Sequence, residues 1–423
     1  MNPPPRHDPY AVLRIRDFRL LLFGRFVNSI AFQMVEVIVG WQIYALTKDP
    51  LALGLVGLST ALPSITVSLY AGHLSDIKSR RNISLVTLTI NLICVLGLLS
   101  ISSHLEAVYL GFGTFPIYSI LFIAGLASGF LAPAVIAFNY EIVPGEFAQN
   151  AAAWRSSSWQ SAAVAGPALG GVLYGFIGAT GAYTVACVLF VMGIVFVYMI
   201  PNRPAPIKER SETLMQSLKE GVSFVFKNQF IVGALSLDLF AVLFGGAVAM
   251  LPVFASDILK IGPEGLGVLR AAPAVGAVIM ALWQAHHPMS GRIGKKLFIA
   301  VQCWGVTIIV FGLSKNVYLS VFALAVGGAF DSISVVVRAT LVQLSTPNNM
   351  RGRVEAVNMM FIGSSNEIGA FESGVAARLL GVVPSVVFGG CMTLISVFVT
   401  GKLAPKLWKL NYEELEVASN EPS

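Results

Sequence analysis

The chain has 423 residues, of which 12% are charged and 56% are hydrophobic, and its mean hydropathy is +0.76. Soluble domains carry about 25% charged residues, so this composition excludes a soluble globular protein. The formal net charge is +6, but the cations lie beside apolar runs and not together in one patch, which argues against a nucleic-acid partner.

Apolar runs of roughly 20 residues or more, the length that crosses a bilayer, predict twelve transmembrane helices. We expect the first run to be retained as a span, since it is too long for a signal peptide. The predicted spans are 18–46, 51–74, 82–102, 115–141, 149–176, 178–200, 229–258, 265–285, 297–314, 317–344, 354–380 and 384–407.

Well inside the first predicted span, Arg25 and Glu36 are eleven positions apart and lie nearly on one helical face. A charge at the centre of a span costs about 2.5–3.5 kcal/mol, so such residues face a cavity or a partner. Glu36 is therefore the first candidate for proton or substrate coupling. A fixed ion pair with a cation on another helix is the alternative.

A charged turn at 72–81 follows the second span and reads Gly-His-Leu-Ser-Asp-Ile-Lys-Ser-Arg-Arg. It resembles the loop signature that the Major Facilitator Superfamily carries between its second and third helices. The resemblance implies a cytoplasmic gate formed by Gly72, Asp76, Lys78, Arg80 and Arg81, in which the glycine lets helix ends approach. The family often adds an arginine in the fourth span, and residues 115–140 contain none, so the cations are expected to have a different partner.

The fifth span carries small residues and a proline at Gly166, Pro167, Gly170 and Gly171. Small residues four or five apart let helices touch closely, and a proline permits a bend. The segment resembles the Gly-Pro motif of exporters in the superfamily, which implies an exporter. Ordinary close packing is the alternative.

A polar stretch at 201–228 separates two halves of six predicted spans each. The halves echo each other: an offset of 203 residues aligns Gly125, Pro144, Gly166 and Gly171 with Gly328, Pro347, Gly369 and Gly374. The sequence thus predicts an all-α polytopic membrane protein with two pseudo-symmetric six-helix bundles. The predicted segments are a bundle at 1–200, a linker with an amphipathic helix at 201–228, a bundle at 229–407 and a tail at 408–423.

The second half places further charges inside predicted spans. Asp238 lies in the seventh span, and Asp331 and Arg338 share one face of the tenth, seven residues apart. That spacing is too long for a direct pair within one helix, so each is expected to meet another helix. Glu367 and Glu372 lie about 140° apart on the eleventh span, so one is expected to face a cavity and the other packing. Elsewhere, Arg155 and Arg270 are either counter-charges or contacts to an anionic substrate, or they extend to a span end.

The block at 347–374 resembles the branch of the superfamily that contains the enterobactin (siderophore) exporter and macrolide-efflux carriers. It includes the loop at 347–354 and most of the eleventh span. This resemblance implies export of an amphipathic small molecule such as a siderophore or a drug.

The sequence predicts a proton-coupled exporter that works by alternating access as a monomer in the inner membrane. Its expected partners are a small-molecule substrate, protons and the bilayer. Both termini are predicted to be cytoplasmic, because the loops on one side hold only Lys48, Lys260 and Lys315 among the lysines and arginines outside the spans. No catalytic, phosphate-binding or metal-ligand spacing is present, so neither an enzyme nor a cofactor is expected. The alternatives are a lipid or lysolipid flippase and a non-transporting membrane receptor.

Overall fold

The computed structural model describes residues 10–203, 214–287, 290–347 and 350–413, and within them the secondary structure is helical. The helices are α1 (Arg16–Thr47), α2 (Pro50–Ile77), α3 (Arg80–Ser103), α4 (Leu105–Phe112), α5 (Phe115–Ile142), α6 (Ala148–Tyr198), α7 (Leu214–Lys227), α8 (Gln229–Phe244), α9 (Leu251–Val253), α10 (Gly262–His286), α11 (Ile293–Leu313), α12 (Val317–Leu344), α13 (Arg351–Leu380), α14 (Val382–Leu403) and α15 (Pro405–Lys409). Short 3₁₀ helices lie at Ala11–Arg14, Gly145–Phe147 and Ala247–Met250, and a π-helix lies at Phe254–Ile258.

The long helices follow the predicted spans closely. In the described residues, ten helical segments are long and apolar enough to cross a membrane. One of them is α6, a helix of 51 residues that breaks at Gly178, where φ is 71° and ψ is 177°. Division there gives segments at 148–177 and 179–198, which match two predicted spans. With α13, which carries more charge, the observed helices are consistent with twelve spans.

Asparagine and serine side chains set the starts of several helices. Asn228 Oδ1 accepts hydrogen bonds from the backbone N–H groups of Phe230 and Ile231 at 3.0 and 3.2 Å. Asn316 begins α12 with the same geometry, and the Ser79 hydroxyl accepts from the Asn82 N–H at the start of α3. These caps satisfy donors that the first helical turn leaves without partners.

Contacts divide the chain into two compact units, 1–38 with 62–209 and 39–61 with 210–423. We call them the N-terminal unit and the C-terminal unit. The core of the N-terminal unit includes Phe18 of α1, Phe138 of α5 and Ile200, which follows the end of α6. That of the C-terminal unit includes Leu237 and Phe298, from α8 and α11.

Glycines placed by the predicted repeat mark equivalent helix crossings in the two units. A Cβ on Gly166 would lie 3.0 Å from the carbonyl oxygen of Ile30, so α6 packs closely on α1. Its repeat partner Gly369 would bring a Cβ to 2.7 Å from the carbonyl oxygen of Val242, so α13 packs on α8 in the same way. The offset of 203 residues therefore relates two contacts of the same kind, as a parallel repeat requires.

The seventh predicted span, 229–258, is interrupted, which hydropathy did not predict. Regular helix ends at Phe244, and Gly245 and Gly246 precede the 3₁₀, α9 and π segments. A Cβ on Gly245 would overlap the indole ring of Trp304, and one on Gly246 would lie 2.8 Å from the carbonyl oxygen of Gly369. The two glycines thus allow neighbouring helices to approach the break closely. Irregular segments of this kind within spans are often functional sites.

The amphipathic helix predicted in the linker is present as α7, and it packs on α13. Val225 is buried, as the predicted apolar face requires, whereas Val222 is 39% exposed. Glu220 forms an ion pair with Arg353 of α13. The predicted apolar positions Leu214 and Leu218, the linker residues 204–213 and the tail beyond residue 413 lie outside the described side chains or residues.

Candidate functional site

In the N-terminal unit, the exporter-type motif lies where α6 crosses α1. All four of its residues, Gly166, Pro167, Gly170 and Gly171, are buried. A Cβ on Gly170 would lie 3.0 Å from Met34 Cα. The motif therefore brings two helix backbones into contact, as its alternative interpretation as ordinary close packing requires. Its role in export stays a prediction.

Two cations of the 72–81 turn bind within the same unit. Arg80 forms an ion pair with Glu141 at 2.9 Å, and its Nε donates to the Ser75 carbonyl oxygen at 3.2 Å. Arg81 donates to the Tyr198 carbonyl oxygen at 2.6 Å and lies over the Tyr198 ring. The turn is thus tied to the ends of α5 and α6.

Glu141 is the partner that the sequence reasoning missed. It lies at the end of the fourth predicted span, 61 residues from Arg80, and its carbonyl oxygen also accepts from Arg203 at 2.8 Å. Arg203 in turn pairs with Asp17 at 2.8 Å, which links the start of α1 to this network. Only a tertiary contact could identify Glu141, because nothing in its local sequence distinguishes it.

The remaining predicted gate residues have different environments. Lys78 is exposed. In the described residues, a Cβ on Gly72 would meet no atom within 4 Å, so the close approach predicted at this glycine is not observed. The side chain of Asp76 is outside the described part of the structure, and the gate itself stays a prediction.

Arg25 and Glu36 lie on α1, in the N-terminal unit, but in different environments. Glu36 is exposed, whereas Arg25 is half-buried and experiences the like charge of Arg155 on α6. Their separation of eleven residues is about 16 Å along the helix, so they do not form a direct pair with each other.

The C-terminal unit contains the most deeply buried charges among the predicted residues. Arg338 of α12 forms an ion pair with Asp238 of α8, and the two side chains are only 8% and 10% exposed. Each thus meets another helix, and the predicted faces of α8 and α12 turn toward each other. A buried pair of this kind is costly to break, because either partner alone would be an uncompensated charge.

Asp331 completes this cluster. It lines a small cavity together with Asp238, Trp304 and Ser334, and it experiences the charges of both Arg338 and Asp238. In the described part of the chain it forms no hydrogen bond or ion pair. The cavity has room for about one water molecule. The cluster thus contains two carboxylates and one guanidinium, which is paired with Asp238, so one carboxylate is in excess.

The acids predicted on α13 lie away from this cluster. Glu372 is half-buried and lines a separate apolar groove with Ile368, Phe371 and Leu379. The side chain of Glu367 is outside the described part of the structure. The structure therefore brings together Asp238, Asp331 and Arg338, and it does not bring Glu372 into their cavity.

A second polar cluster of the C-terminal unit was not predicted. The Tyr44 hydroxyl donates to Asp257 Oδ2 at 2.5 Å, and Lys48 Nζ lies 3.7 Å from Asp257 Oδ1. Asp49, the residue after Lys48, forms an ion pair with Arg378 at 3.3 Å. Asp257 lies in the π-helix of the interrupted seventh span, so the irregular backbone presents an acid to the end of α1.

Metal binding finds no support in the described residues, where no group of three or more His, Cys, Asp or Glu side chains is suitably placed. The four cysteines are free, and Cys94 and Cys187 are buried. The buried cluster of Asp238, Asp331 and Arg338 is the principal candidate site.

Residues 7–421 match the sequence profile of the transmembrane secretion effector family. Curated relatives include the enterobactin exporter EntS of Shigella boydii serotype 18, 26% identical over 387 residues, and that of Citrobacter koseri, 26% identical over 388 residues. In each case the match covers 89% of both chains.

Solved structures support the fold. A POT family transporter in complex with 5-aminolevulinic acid aligns with a TM-score of 0.74 at 11% identity, covering 93% of this chain and 96% of the other. A bacterial homologue of the iron transporter ferroportin aligns with a TM-score of 0.71 at 14% identity, covering 95% and 100%. Both likenesses concern the fold alone.

Proposed function

We propose that this chain, which belongs to the transmembrane secretion effector family of the Major Facilitator Superfamily, is a proton-coupled exporter of amphipathic small molecules. Membership of the family makes it a multi-pass membrane transporter and not an enzyme. Relatives named as enterobactin exporters support a siderophore or a drug-like compound as cargo. The position of the Gly166–Gly171 segment in the fifth span supports export.

The observation that carries proton coupling is the excess carboxylate of the C-terminal unit. Asp238 is paired with Arg338, whereas Asp331 shares their cavity without a described partner of its own. An ionised carboxylate at membrane depth is costly unless it is neutralised. A proton on Asp331 makes the three-residue cluster neutral, and its release leaves the cluster with one negative charge.

The surroundings of Asp331 suit reversible protonation. The groups that face its cavity are the carboxylate of Asp238, the hydroxyl of Ser334 and the indole of Trp304, with the guanidinium of Arg338 in electrostatic range. A cavity of one water is enough to pass a proton, and most of the other residues that line it are apolar. In this proposal the two charge states of the cluster favour different conformations of the transporter, which couples proton movement to alternating access.

In this proposal the protein is a monomer in the inner membrane, and both of its termini are cytoplasmic. The lysines and arginines of the 72–81 turn support this assignment, since cations accumulate on the cytoplasmic side of spans. Arg80 and Arg81 are held in place by Glu141 and Tyr198, so two of these cations have defined positions at the end of the span.

The test is transport by the purified full chain in lipid vesicles with an imposed pH gradient. Suitable probes are 2-naphthoate, 2-naphthamide and ethidium, which are amphipathic and differ in charge. The proposal predicts accumulation of at least one probe against its concentration gradient, with loss of accumulation when nigericin collapses the pH gradient. Accumulation that is indifferent to nigericin, or the absence of accumulation of all three probes, would contradict proton-coupled export.

A further inference from the structure

Two arginines of the N-terminal unit lie within electrostatic range of each other and have no described counter-ion. Arg25 lies on α1 and Arg155 on the first part of α6, both half-buried, and the charge of Arg155 acts on Arg25 as a repulsion. In the described residues neither guanidinium has a hydrogen bond or an ion pair. Two like charges inside membrane-spanning helices are doubly unfavourable, and such residues mark substrate or ion pathways.

The described carboxylates of this unit either form ion pairs with other arginines or lie far from Arg25 and Arg155 along the chain. Asp17 is paired with Arg203, and Glu141 is paired with Arg80. Glu36 lies about 16 Å further along α1 than Arg25. Glu146 is exposed in the 3₁₀ helix that precedes α6, nine residues before Arg155. The described acids of this unit therefore do not neutralise the arginine pair.

Helix packing holds the two arginines in this arrangement. Gly166 and Gly170 bring the backbone of α6 onto α1, and the contacts ascend together along both helices, so the two run parallel here. Arg25 lies before the contact on α1, and Arg155 lies before it on α6. The two arginines thus lie on the same side of this crossing, where glycines allow the two helices to pack closely.

An aromatic surface accompanies the arginines. Trp159 follows Arg155 by four residues, which places it one helical turn away on the same face. Its side chain is 53% exposed. An indole next to two cations offers a flat apolar surface for the body of a molecule whose charged group the arginines hold.

We infer that Arg25 and Arg155 bind the anionic group of the cargo, a carboxylate, a phosphate or an ionised phenol, and that Trp159 contacts its apolar body. This inference rests on the proposed transport function and adds the charge class of the substrate. Guanidinium groups suit it because their planar fork donates two parallel hydrogen bonds to an oxyanion. A bound anion also relieves the repulsion between the two arginines.

The experiment is calorimetric titration of the purified full chain with 2-naphthoate, 2-naphthamide and naphthylmethylammonium, which share one aromatic body. The wild type is expected to bind the anion at least about tenfold more tightly than the amide, the preference that charge-assisted hydrogen bonds supply. Arg25→Gln and Arg155→Gln should each remove this preference, while Arg25→Lys keeps part of it because the charge stays but the fork is lost. Arg19→Gln, which removes an exposed cation from the first turn of α1, is the matched control.

Equal affinity for the three probes, or a preference that survives in the Arg25→Gln/Arg155→Gln double variant, would overturn the inference. Inorganic phosphate tests the aromatic contribution: binding as tight as that of naphthoate would contradict a role for Trp159. Because binding is measured without a gradient, it separates this inference from the proposed function. A variant series that alters anion preference while the wild type shows no proton-driven flux would contradict the transport proposal and leave the anion site standing.

Discussion

The Asp238–Arg338 ion pair allows a prediction in which the two partners are not equivalent. Removal of one partner from a buried pair costs about 3–5 kcal/mol, and both side chains here are at least nine-tenths buried. Arg338→Gln leaves two carboxylates, Asp238 and Asp331, without a cation, so we expect the full loss. Asp238→Asn leaves Arg338 with the nearby charge of Asp331, so we expect a loss of about 1–3 kcal/mol, as for a weakened charged hydrogen bond.

The assay is equilibrium unfolding by dodecyl sulfate in mixed micelles, followed by circular dichroism, for both single variants and the double variant. The double variant should be more stable than the sum of the single losses predicts, because Asp238→Asn removes one of the two carboxylates that Arg338→Gln alone leaves without a cation. Lys315→Gln, which removes an exposed cation from the α11–α12 connection, controls for loss of charge. Equal losses for Arg338→Gln and Asp238→Asn, or additive losses in the double variant, would refute the reasoning.

Four further substitutions test other parts of the molecule. Gly170→Val should lower stability by about 1–3 kcal/mol, because it overpacks the crossing with α1, and it should reduce vesicle flux. Gly72→Ala should leave stability and flux intact, because an added Cβ has room there; a loss of either would indicate that a helix does approach Gly72 closely. Glu141→Gln should lower stability in the unfolding assay by about 1.5–3 kcal/mol, since Arg80 loses a half-buried charged partner; the exposed Glu146→Gln should not. Glu36→Gln is predicted to abolish gradient-driven flux at normal expression, and unchanged pH-dependent flux in that variant would remove Glu36 from the coupling mechanism.

Helix positions were predictable from the sequence because bilayer thickness sets the length of each apolar run. The fourth, tenth and seventh spans illustrate the reach and the limit of this rule. The predicted spans 115–141 and 317–344 match Phe115–Ile142 and Val317–Leu344. The seventh span is strongly apolar on average over 229–258, so hydropathy could not reveal the break at Gly245 and Gly246. That break depends on contacts with Trp304 and Gly369.

The site was predictable residue by residue but not as a constellation. An intramembrane charge is visible in any apolar run, so Asp238, Asp331 and Arg338 could be identified individually. Their meeting depends on how α8 and α12 are rotated against each other, which a single helical face does not reveal. The same limit hid Glu141 as the partner of Arg80, and Asp257 as the acceptor of the Tyr44 hydroxyl.

Proton coupling through Asp331 is tested most directly by comparing two modes of transport in vesicles that contain Asp331→Asn. Substrate exchange without a gradient needs only alternating access, whereas accumulation driven by a pH gradient also needs a group that loads and releases a proton. We predict that the variant exchanges the probe that the wild type transports but no longer accumulates it under the pH gradient. Accumulation equal to that of the wild type would contradict the assignment of Asp331 as the proton carrier.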